Sequence, residues 1–310
     1  MQSSNRLSGE KVVVTGASGF IGMHLCRRLC KAGAEVHAIS RTKHPKNADG
    51  LRWWQGDLAE LETVQELLAT IKPGLIFHLA SLVAGARDLD LVIPMLRNNF
   101  LTTLNLLTVA TDLGCRRLIL AGSLEEPEIE DPEAIPCSPY AAAKWASSAY
   151  ARMFHALYQL PVIMVRIFMV YGPAQQDLRK LIPYVILSLL RGEAPKLSSG
   201  QRQVDWIFVE DVVEGFLATA QATGVEGKTI DIGSGTLVSI RTLVEQLVRL
   251  INPQIEPLFG AIAERPLERV RMADLMRSHT LIGWKPTTPL EEGLKRTVDW
   301  YAGQVRAGTF

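Results

Sequence analysis

Three observations predict an α/β fold of the Rossmann type: a doubly wound parallel sheet with a smaller, interleaved C-terminal lobe. Lys11-Val-Val-Val-Thr reads as a short buried strand that runs into Gly16, Gly19 and Gly22 at G-x-x-G-x-x-G spacing and then into a helix. Strand-like and helix-like segments go on alternating beyond it. Gly16, Ser40, Asp57, Ala80 and Ser123 fall at the ends of successive strands, the side on which such sheets bind ligands.

The first turn carries the clearest chemistry. A strand that turns sharply into a helix leaves free backbone N–H groups at the helix start, where the peptide dipoles also favour an anion. Gly16 allows the tight turn, Gly19 lets a pyrophosphate approach the backbone, and Gly22 lets the helix lie close to the sheet. With Ser18, Phe20 and Ile21 these residues are candidates for holding a dinucleotide.

The second strand, Ala34 to Ser40, bears on which dinucleotide. A carboxylate at its end would hydrogen-bond the adenosine ribose of NAD(H) and repel the phosphate of NADP(H). The chain instead has Ser40-Arg41-Thr42-Lys43-His44, and a guanidinium matches a phosphate with forked hydrogen bonds. NADP(H) is therefore favoured over NAD(H). The third strand ends in Gly56-Asp57-Leu58, where Asp57 meets the adenine amino group or caps the helix 59–70. The fourth, Leu75 to Ser81, ends in Leu79, Ala80 and Ser81, small enough at the last two to leave room for the cofactor. His78 reads as a core histidine. A long helix is expected over 88–113, and a fifth strand over 115–123.

Beyond Ser123 comes an acidic loop and then Ser138-Pro-Tyr140-Ala-Ala-Ala-Lys144. Four positions apart on a helix, Tyr140 and Lys144 share a face. A tyrosine exchanges a proton with an alcohol or carbonyl only if its pKa falls from about 10. A nearby ammonium and the positive ring of an oxidised nicotinamide both act in that direction. Tyr140 is the expected acid/base, Lys144 its modulator and a cofactor-ribose ligand, and Ser123 the donor that orients the reacting oxygen.

Several segments together resemble the extended short-chain dehydrogenase/reductase family of nucleotide-sugar epimerases, dehydratases and ketoreductases. They are Thr15 to Gly22, Asp57-Leu, His78-Leu-Ala, Asn99 with Asn105-Leu-Leu, Ser123, Tyr140-x-x-x-Lys144 and Arg166 to Pro173. The likeness continues through 200–211, 231–235, 281–286 and Leu290-Glu-Glu-Gly-Leu. It implies a dinucleotide-binding domain over 1–172 with 206–234 and a substrate-binding lobe over 173–205 with 235–310. The chain would return to the main sheet at about 206–232. It also implies Lys180, Arg202 and Arg265 as candidates for the substrate diphosphate, and a homodimer by analogy.

The resemblance is less uniform at the substrate. Where family 4,6-dehydratases usually carry an aspartate after the hydroxyl residue, this chain has Leu124, which cannot donate a proton. Gly122-Ser-x-Glu-Glu126 is similar to reductases of a 4-keto-6-deoxy sugar, with Glu125 as a candidate second acid/base. Met169 and Val204 replace an asparagine and an arginine common in the family. Reduction of a 4-keto-6-deoxy nucleotide-sugar is the favoured reaction, and 4-epimerisation the alternative.

Composition excludes other classes. A formal charge of +1 gives no reason to expect nucleic acid. No apolar run reaches the roughly 18 to 20 residues that span a bilayer. The polar start lacks the apolar core of a signal peptide, and four cysteines without metal-like spacing fit reduced thiols in a cytoplasmic protein with no metal.

Overall fold

The computed structural model describes residues 7–45, 50–127, 133–264 and 267–310. Its elements in chain order begin β1 (Lys11–Thr15), α1 (Phe20–Lys31), β2 (Glu35–Ser40), β3 (Arg52–Gln55), α2 (Leu61–Ile71) and β4 (Leu75–His78). Next come α3 (Val92–Met95), a π-helical stretch Leu96–Leu101, α4 (Thr102–Leu113), β5 (Arg117–Ser123), α5 (Pro139–Tyr158) and β6 (Val162–Ile167). The remainder is β7 (Met169–Tyr171), α6 (Leu181–Leu190), β8 (Lys196–Leu197), β9 (Gln203–Phe208), α7 (Val209–Gln221) and β10 (Thr229–Ile232), followed by β11 (Leu237–Ser239), α8 (Ile240–Ile251), β12 (Leu258–Phe259), α9 (Leu275–Ile282) and α10 (Leu290–Arg306).

The main sheet is parallel, with seven strands in the order β10-β6-β5-β4-β1-β2-β3. Chain order reverses between β1 and β4, where Thr15 pairs with His78, and the crevice at such a reversal is where ligands of these sheets sit. Strands covered on both faces need continuous apolar runs, and Val12, Val13 and Val14 are fully buried. Val64, Leu68 and Ile71 of α2 pack with Leu107 and Ala110 of α4 and with Ile76, Leu118 and Val162 of the sheet. From β5, Arg117 donates to the carbonyls of Thr219, Ala220 and Ala222 at 3.2, 2.7 and 2.6 Å and pairs with Glu226, satisfying the end of α7.

The chain divides into two compact units. One comprises 1–167, 213–231 and 277–284; the other comprises 168–212, 232–276 and 285–310. The second unit has its own core of Val185, Ile186, Trp206, Phe208, Leu243, Leu247, Leu294 and Tyr301. Leu294, Val298 and Tyr301 of α10 are buried, as their helical spacing implies.

Three elements depart from the sequence reading. β4 stops at His78 rather than Ser81 because β1 itself ends at Thr15: Leu79 N–H makes the last ladder bond, to the Thr15 carbonyl (3.2 Å), and Ala80 N–H goes to the side-chain Thr15 Oγ1 (3.1 Å). The expected helix over 88–113 is broken by the π-helical stretch, inside which Asn99 uses its amide to clamp both backbone groups of Leu82 (2.7 and 3.0 Å). The return to the main sheet involves only β10. β9 instead joins a separate three-stranded sheet, β11-β9-β7.

Candidate active site

The glycine turn is built by close approach. Gly16 has φ +67°, and a Cβ there would lie 2.7 Å from the Ala80 nitrogen and 2.8 Å from the Leu79 carbonyl carbon. A Cβ on Gly22 would collide with the Gly16 carbonyl oxygen and stand 2.9 Å from Ala17 Cα. The turn closes with Gly19 N–H on the Gly16 carbonyl (3.0 Å) and Met23 N–H on the Gly19 carbonyl (3.0 Å). The N-cap Gly19 supplies no side-chain cap, and the first turn of α1, with Phe20, Ile21 and Gly22, holds no acidic residue. Backbone donors and dipole are thus left for an anion, and the cradle fits the pyrophosphate of a dinucleotide.

A chain of hydroxyls runs from this turn to the end of β2. Ser18 Oγ lies 3.4 Å from Ser40 Oγ, Ser40 Oγ 2.9 Å from Thr42 Oγ1, and Thr42 Oγ1 3.2 Å from His44 Nε2. The His44 ring stacks on Trp53 at 3.9 Å. Arg41 is exposed and donates to Asn98 Oδ1 at 2.6 Å. Asp57 does not cap α2, whose N-cap residue is Glu60 with no side-chain cap bond; the Asp57 carboxylate instead closes the turn that precedes the helix. Its Oδ1 accepts from the Ala59 N–H (3.0 Å) and its Oδ2 pairs with Arg97 (2.8 Å). Burial would raise its pKa, but these two partners outweigh it and hold the carboxyl below its usual range. The following Leu58 is buried, and its carbonyl accepts from Asn105 (3.0 Å).

His78 is a core residue with both ring nitrogens occupied. Thr15 Oγ1, which accepts from the Ala80 N–H, lies 2.7 Å from His78 Nδ1 and donates to it, because the proton of the neutral ring sits on Nε2. His78 Nε2–H donates to Thr103 Oγ1 (3.0 Å), whose own proton goes to the Asn99 carbonyl (2.7 Å). Burial, reinforced by the Lys144 charge, lowers its pKa to about 3, so the ring is neutral.

The first turn of α5 presents Tyr140. Ser138 is the N-cap, accepting from the Ala141 N–H at 3.1 Å, and Pro139 occupies the first helical position. The hydroxyls of Ser123 and Ser81 face the phenol and favour its ionised form; the buried Ser81 Oγ has no hydrogen bond within 3.5 Å. Lys144 Nζ lies 6.0 Å from the centre of the Tyr140 ring and donates to the Ala121 carbonyl at 2.8 Å.

The electrostatics correct the sequence reading. Burial pushes the Tyr140 pKa up, the Ser123 and Ser81 hydroxyls oppose this, and the charges of Glu125 and Glu126 reinforce it. Lys144 itself is brought down to about 8 by burial, against the pull of Glu126. The protein groups alone therefore hold Tyr140 as the neutral phenol, where an ammonium-depressed pKa was expected.

Glu125 is turned toward the α5 start, where Oε2 accepts from Ser138 Oγ (3.3 Å) and lies 3.7 Å from Cys137 Sγ. Leu124 is buried. Glu126 had no assigned role in the sequence, yet it is buried and its Oε1 accepts from the Ser123 N–H at 2.7 Å. The signal for it was Gly122, where a Cβ would lie 2.5 Å from that oxygen. In the second unit, Lys180 is the N-cap residue of α6, and Arg202 pairs with Glu268 at 2.8 Å while its buried Nε has no hydrogen-bond partner. Arg265 lies outside the described residues. Among the described residues no group of three or more histidine, cysteine, aspartate or glutamate side chains could hold a metal ion. No described helix is long and apolar enough to cross a membrane.

Comparison with known proteins bears on this arrangement. The model of the NAD dependent epimerase/dehydratase family matches residues 12–233. The chain belongs to this family. A UDP-glucose 4-epimerase of Mycolicibacterium smegmatis is 30% identical over 94% of this chain and 98% of its own length. A UDP-glucuronate 4-epimerase of Thermodesulfobacterium geofontis is 27% identical over 93% and 95%. A dTDP-glucose 4,6-dehydratase of Haemophilus influenzae is 28% identical over 94% and 97%. Among solved structures, an epimerase of Methanothermobacter thermautotrophicus superposes with a TM-score of 0.88 at 25% identity, covering 99% of this chain and 96% of that one. A UDP-glucuronic acid 4-epimerase of Bacillus cereus, solved with UDP-glucuronic acid and NAD, gives 0.84 at 24% identity, covering 94% and 99%. The protein is thus an enzyme of the extended short-chain dehydrogenase/reductase type, in a family whose relatives are nucleotide-sugar 4-epimerases and 4,6-dehydratases.

Proposed function

We propose that the protein transfers hydride at C4 of a nucleotide-linked sugar, as a reductase of a 4-keto-6-deoxy sugar. The observation that carries C4 redox chemistry is the Tyr140 phenol facing the Ser123 hydroxyl with Lys144 one turn further along α5. In this reading Tyr140, kept neutral by its surroundings, gives its proton to the sugar oxygen as C4 is reduced. Ser123 donates to the same oxygen and fixes its position. Lys144, tethered to the Ala121 carbonyl, would hold its positive charge beside the phenolate left when Tyr140 gives up its proton, and would bind a ribose hydroxyl of the cofactor. The dinucleotide, when bound, supplies the hydride equivalent and, in its oxidised form, a positive ring that favours the phenolate. Gly16, Gly19, the α1 start, Leu79, Ala80 and Ser81 would hold it.

The cofactor argument favours NADP(H). The end of β2 offers Arg41 and the hydroxyls of Ser40 and Thr42 and no carboxylate, a donor set suited to a phosphate. The solved relative named above carries NAD, so NAD(H) is the competing choice. Buried Leu124 argues against water elimination, since no acid stands next to Ser123 at that position. A second reading, 4-epimerase, is favoured by the names of the 27–30% identical relatives. Lys180, Arg202 and Arg265 are proposed as cations for the substrate diphosphate.

Stoichiometry separates the two readings. Purified protein is incubated with NADPH or NADH and a panel of UDP-, GDP-, CDP- and dTDP-sugars, including 4-keto-6-deoxy forms. The reductase consumes one reduced dinucleotide per product; conversion of a sugar to its epimer without net consumption establishes the alternative. Tyr140→Phe should cost about 10²- to 10⁴-fold in turnover with dinucleotide affinity retained. Unchanged turnover in that variant would refute both readings.

A further inference from the structure

β4 ends at His78, opposite Leu120 of β5, so β5 runs on past its neighbour. Residues of β5 point their backbone groups alternately to the two sides. Leu118 N–H goes to Pro161 and Leu124 N–H to Ile167, on the β6 side; Arg117 N–H goes to Gly74, on the β4 side. Ala121 and Ser123 share the Arg117 parity. Their carbonyl and N–H therefore emerge side by side on the edge that β4 has vacated. Buried backbone groups without a strand partner need another one. Lys144 fills the first, donating to the Ala121 carbonyl at 2.8 Å, and Glu126 fills the second, accepting from the Ser123 N–H at 2.7 Å. An ammonium and a carboxylate are thereby set on neighbouring rungs of one strand.

We propose that Glu126 is a positioning residue, holding the backbone of Ser123 while serving as the buried counter-charge that keeps Lys144 an ammonium beside Tyr140. This rests on the reading of Ser123, Tyr140 and Lys144 as the catalytic group. Space for the carboxylate exists because residue 122 is glycine. The groups facing it are Ser148, Arg152, Lys144 and Tyr140 from α5 and Arg166 from β6, the last also paired with Asp231 of β10 at 3.1 Å. Lys144 in turn faces neutral His78, and Glu125 bears on Tyr140. Burial alone disfavours an ammonium, and Glu126 opposes that effect. The same carboxylate favours the protonated phenol, so it biases Tyr140 toward the acid form that a reductase uses.

Glu126→Gln keeps an oxygen for the Ser123 N–H and removes only the charge. In the whole chain without substrate, lysine side chains labelled with carbon-13 are titrated by NMR, Lys144 being assigned by its loss in Lys144→Arg. The titration midpoint of Lys144 should fall by about one pH unit or more in Glu126→Gln, a tenfold change in its protonation equilibrium. The Tyr140 midpoint, read from tyrosinate absorbance against Tyr140→Phe, should fall as well. A purely structural role through the Ser123 N–H predicts no movement in Glu126→Gln, and an unmoved Lys144 midpoint overturns the proposal. Should Glu126→Gln fail to fold, the reciprocal measurement decides. In Lys144→Met the Glu126 carboxyl must titrate higher than in the wild type, and an unchanged midpoint is again fatal. Neither readout requires turnover, so an unsuccessful substrate panel would sink the proposed function and leave this coupling to stand or fall alone.

Discussion

Replacing Gly22 by alanine tests whether close approach, rather than chain flexibility, is what the third glycine supplies. The new Cβ would collide with the Gly16 carbonyl oxygen and sit 2.9 Å from both Ala17 Cα and the Gly16 carbonyl carbon, all backbone. The turn has little room to retreat, because the Leu79–Ala80 peptide lies so near Gly16 that a Cβ there would stand 2.7 Å from the Ala80 nitrogen. Relief requires the α1 start to lift from β1. Overpacking of this kind costs about 1–3 kcal/mol, and a backbone-against-backbone clash belongs at the upper end. Alanine recovers about 0.5–1 kcal/mol of helix propensity, leaving a net loss of about 2 kcal/mol. Gly303→Ala in α10 is the internal control, since a Cβ there meets nothing within 4 Å and only the propensity gain remains. The two compact units need not unfold together, so stability is best read by hydrogen exchange against urea, of the β1 and α1 amides for Gly22→Ala and of the α10 amides for Gly303→Ala, each relative to the wild type. Gly22→Ala should also weaken dinucleotide binding. If the β1 and α1 amides of Gly22→Ala are as protected as in the wild type and dinucleotide binds normally, the packing argument is wrong.

Arg41→Ala should lose roughly tenfold or more of its affinity for NADP(H), the worth of a charge-assisted hydrogen bond, with NAD(H) affinity little changed in paired titrations. Ser138→Ala removes the cap of α5 and should cost about 1 kcal/mol, measured by urea melts, with a loosened Tyr140 lowering turnover as well. His78 is neutral in the folded chain and titrates near 3, below its ordinary value of about 6.5. The unfolded chain therefore binds the extra proton first, and stability should fall as pH drops from about 6.5 to 3, at up to about 1.4 kcal/mol per pH unit from this group. His78→Gln should flatten that part of the profile; an identical slope in the variant would rule out His78 as its source.

The sequence was most informative where one local interaction decides the backbone. Three valines followed by glycines at fixed spacing specify a strand, a turn and a helix start, and β1 and α1 begin within a residue of expectation. Ser138-Pro139 announces the start of α5 equally plainly, because the hydroxyl cap and the proline both act within one turn. The misread parts depend on partners distant in the chain. Nothing near Ala80 says that its N–H will bond the Thr15 side chain instead of extending a strand, and Asn99, inside the π-helical stretch, reaches back to Leu82. The Tyr140 environment was misjudged for the same reason. Spacing brings Lys144 near, but burial and two carboxylates from a separate strand end decide which way the phenol is biased.

The segment 277–284 belongs to the same compact unit as the glycine turn, although more than half the chain separates them. A nascent polypeptide emerging from the ribosome therefore cannot complete its first unit while the second is still being made. The two must mature nearly together, and late in synthesis, rather than one after the other from the amino terminus. A messenger truncated shortly after codon 233 would yield a product still lacking a piece of the very unit that its length suggests is finished.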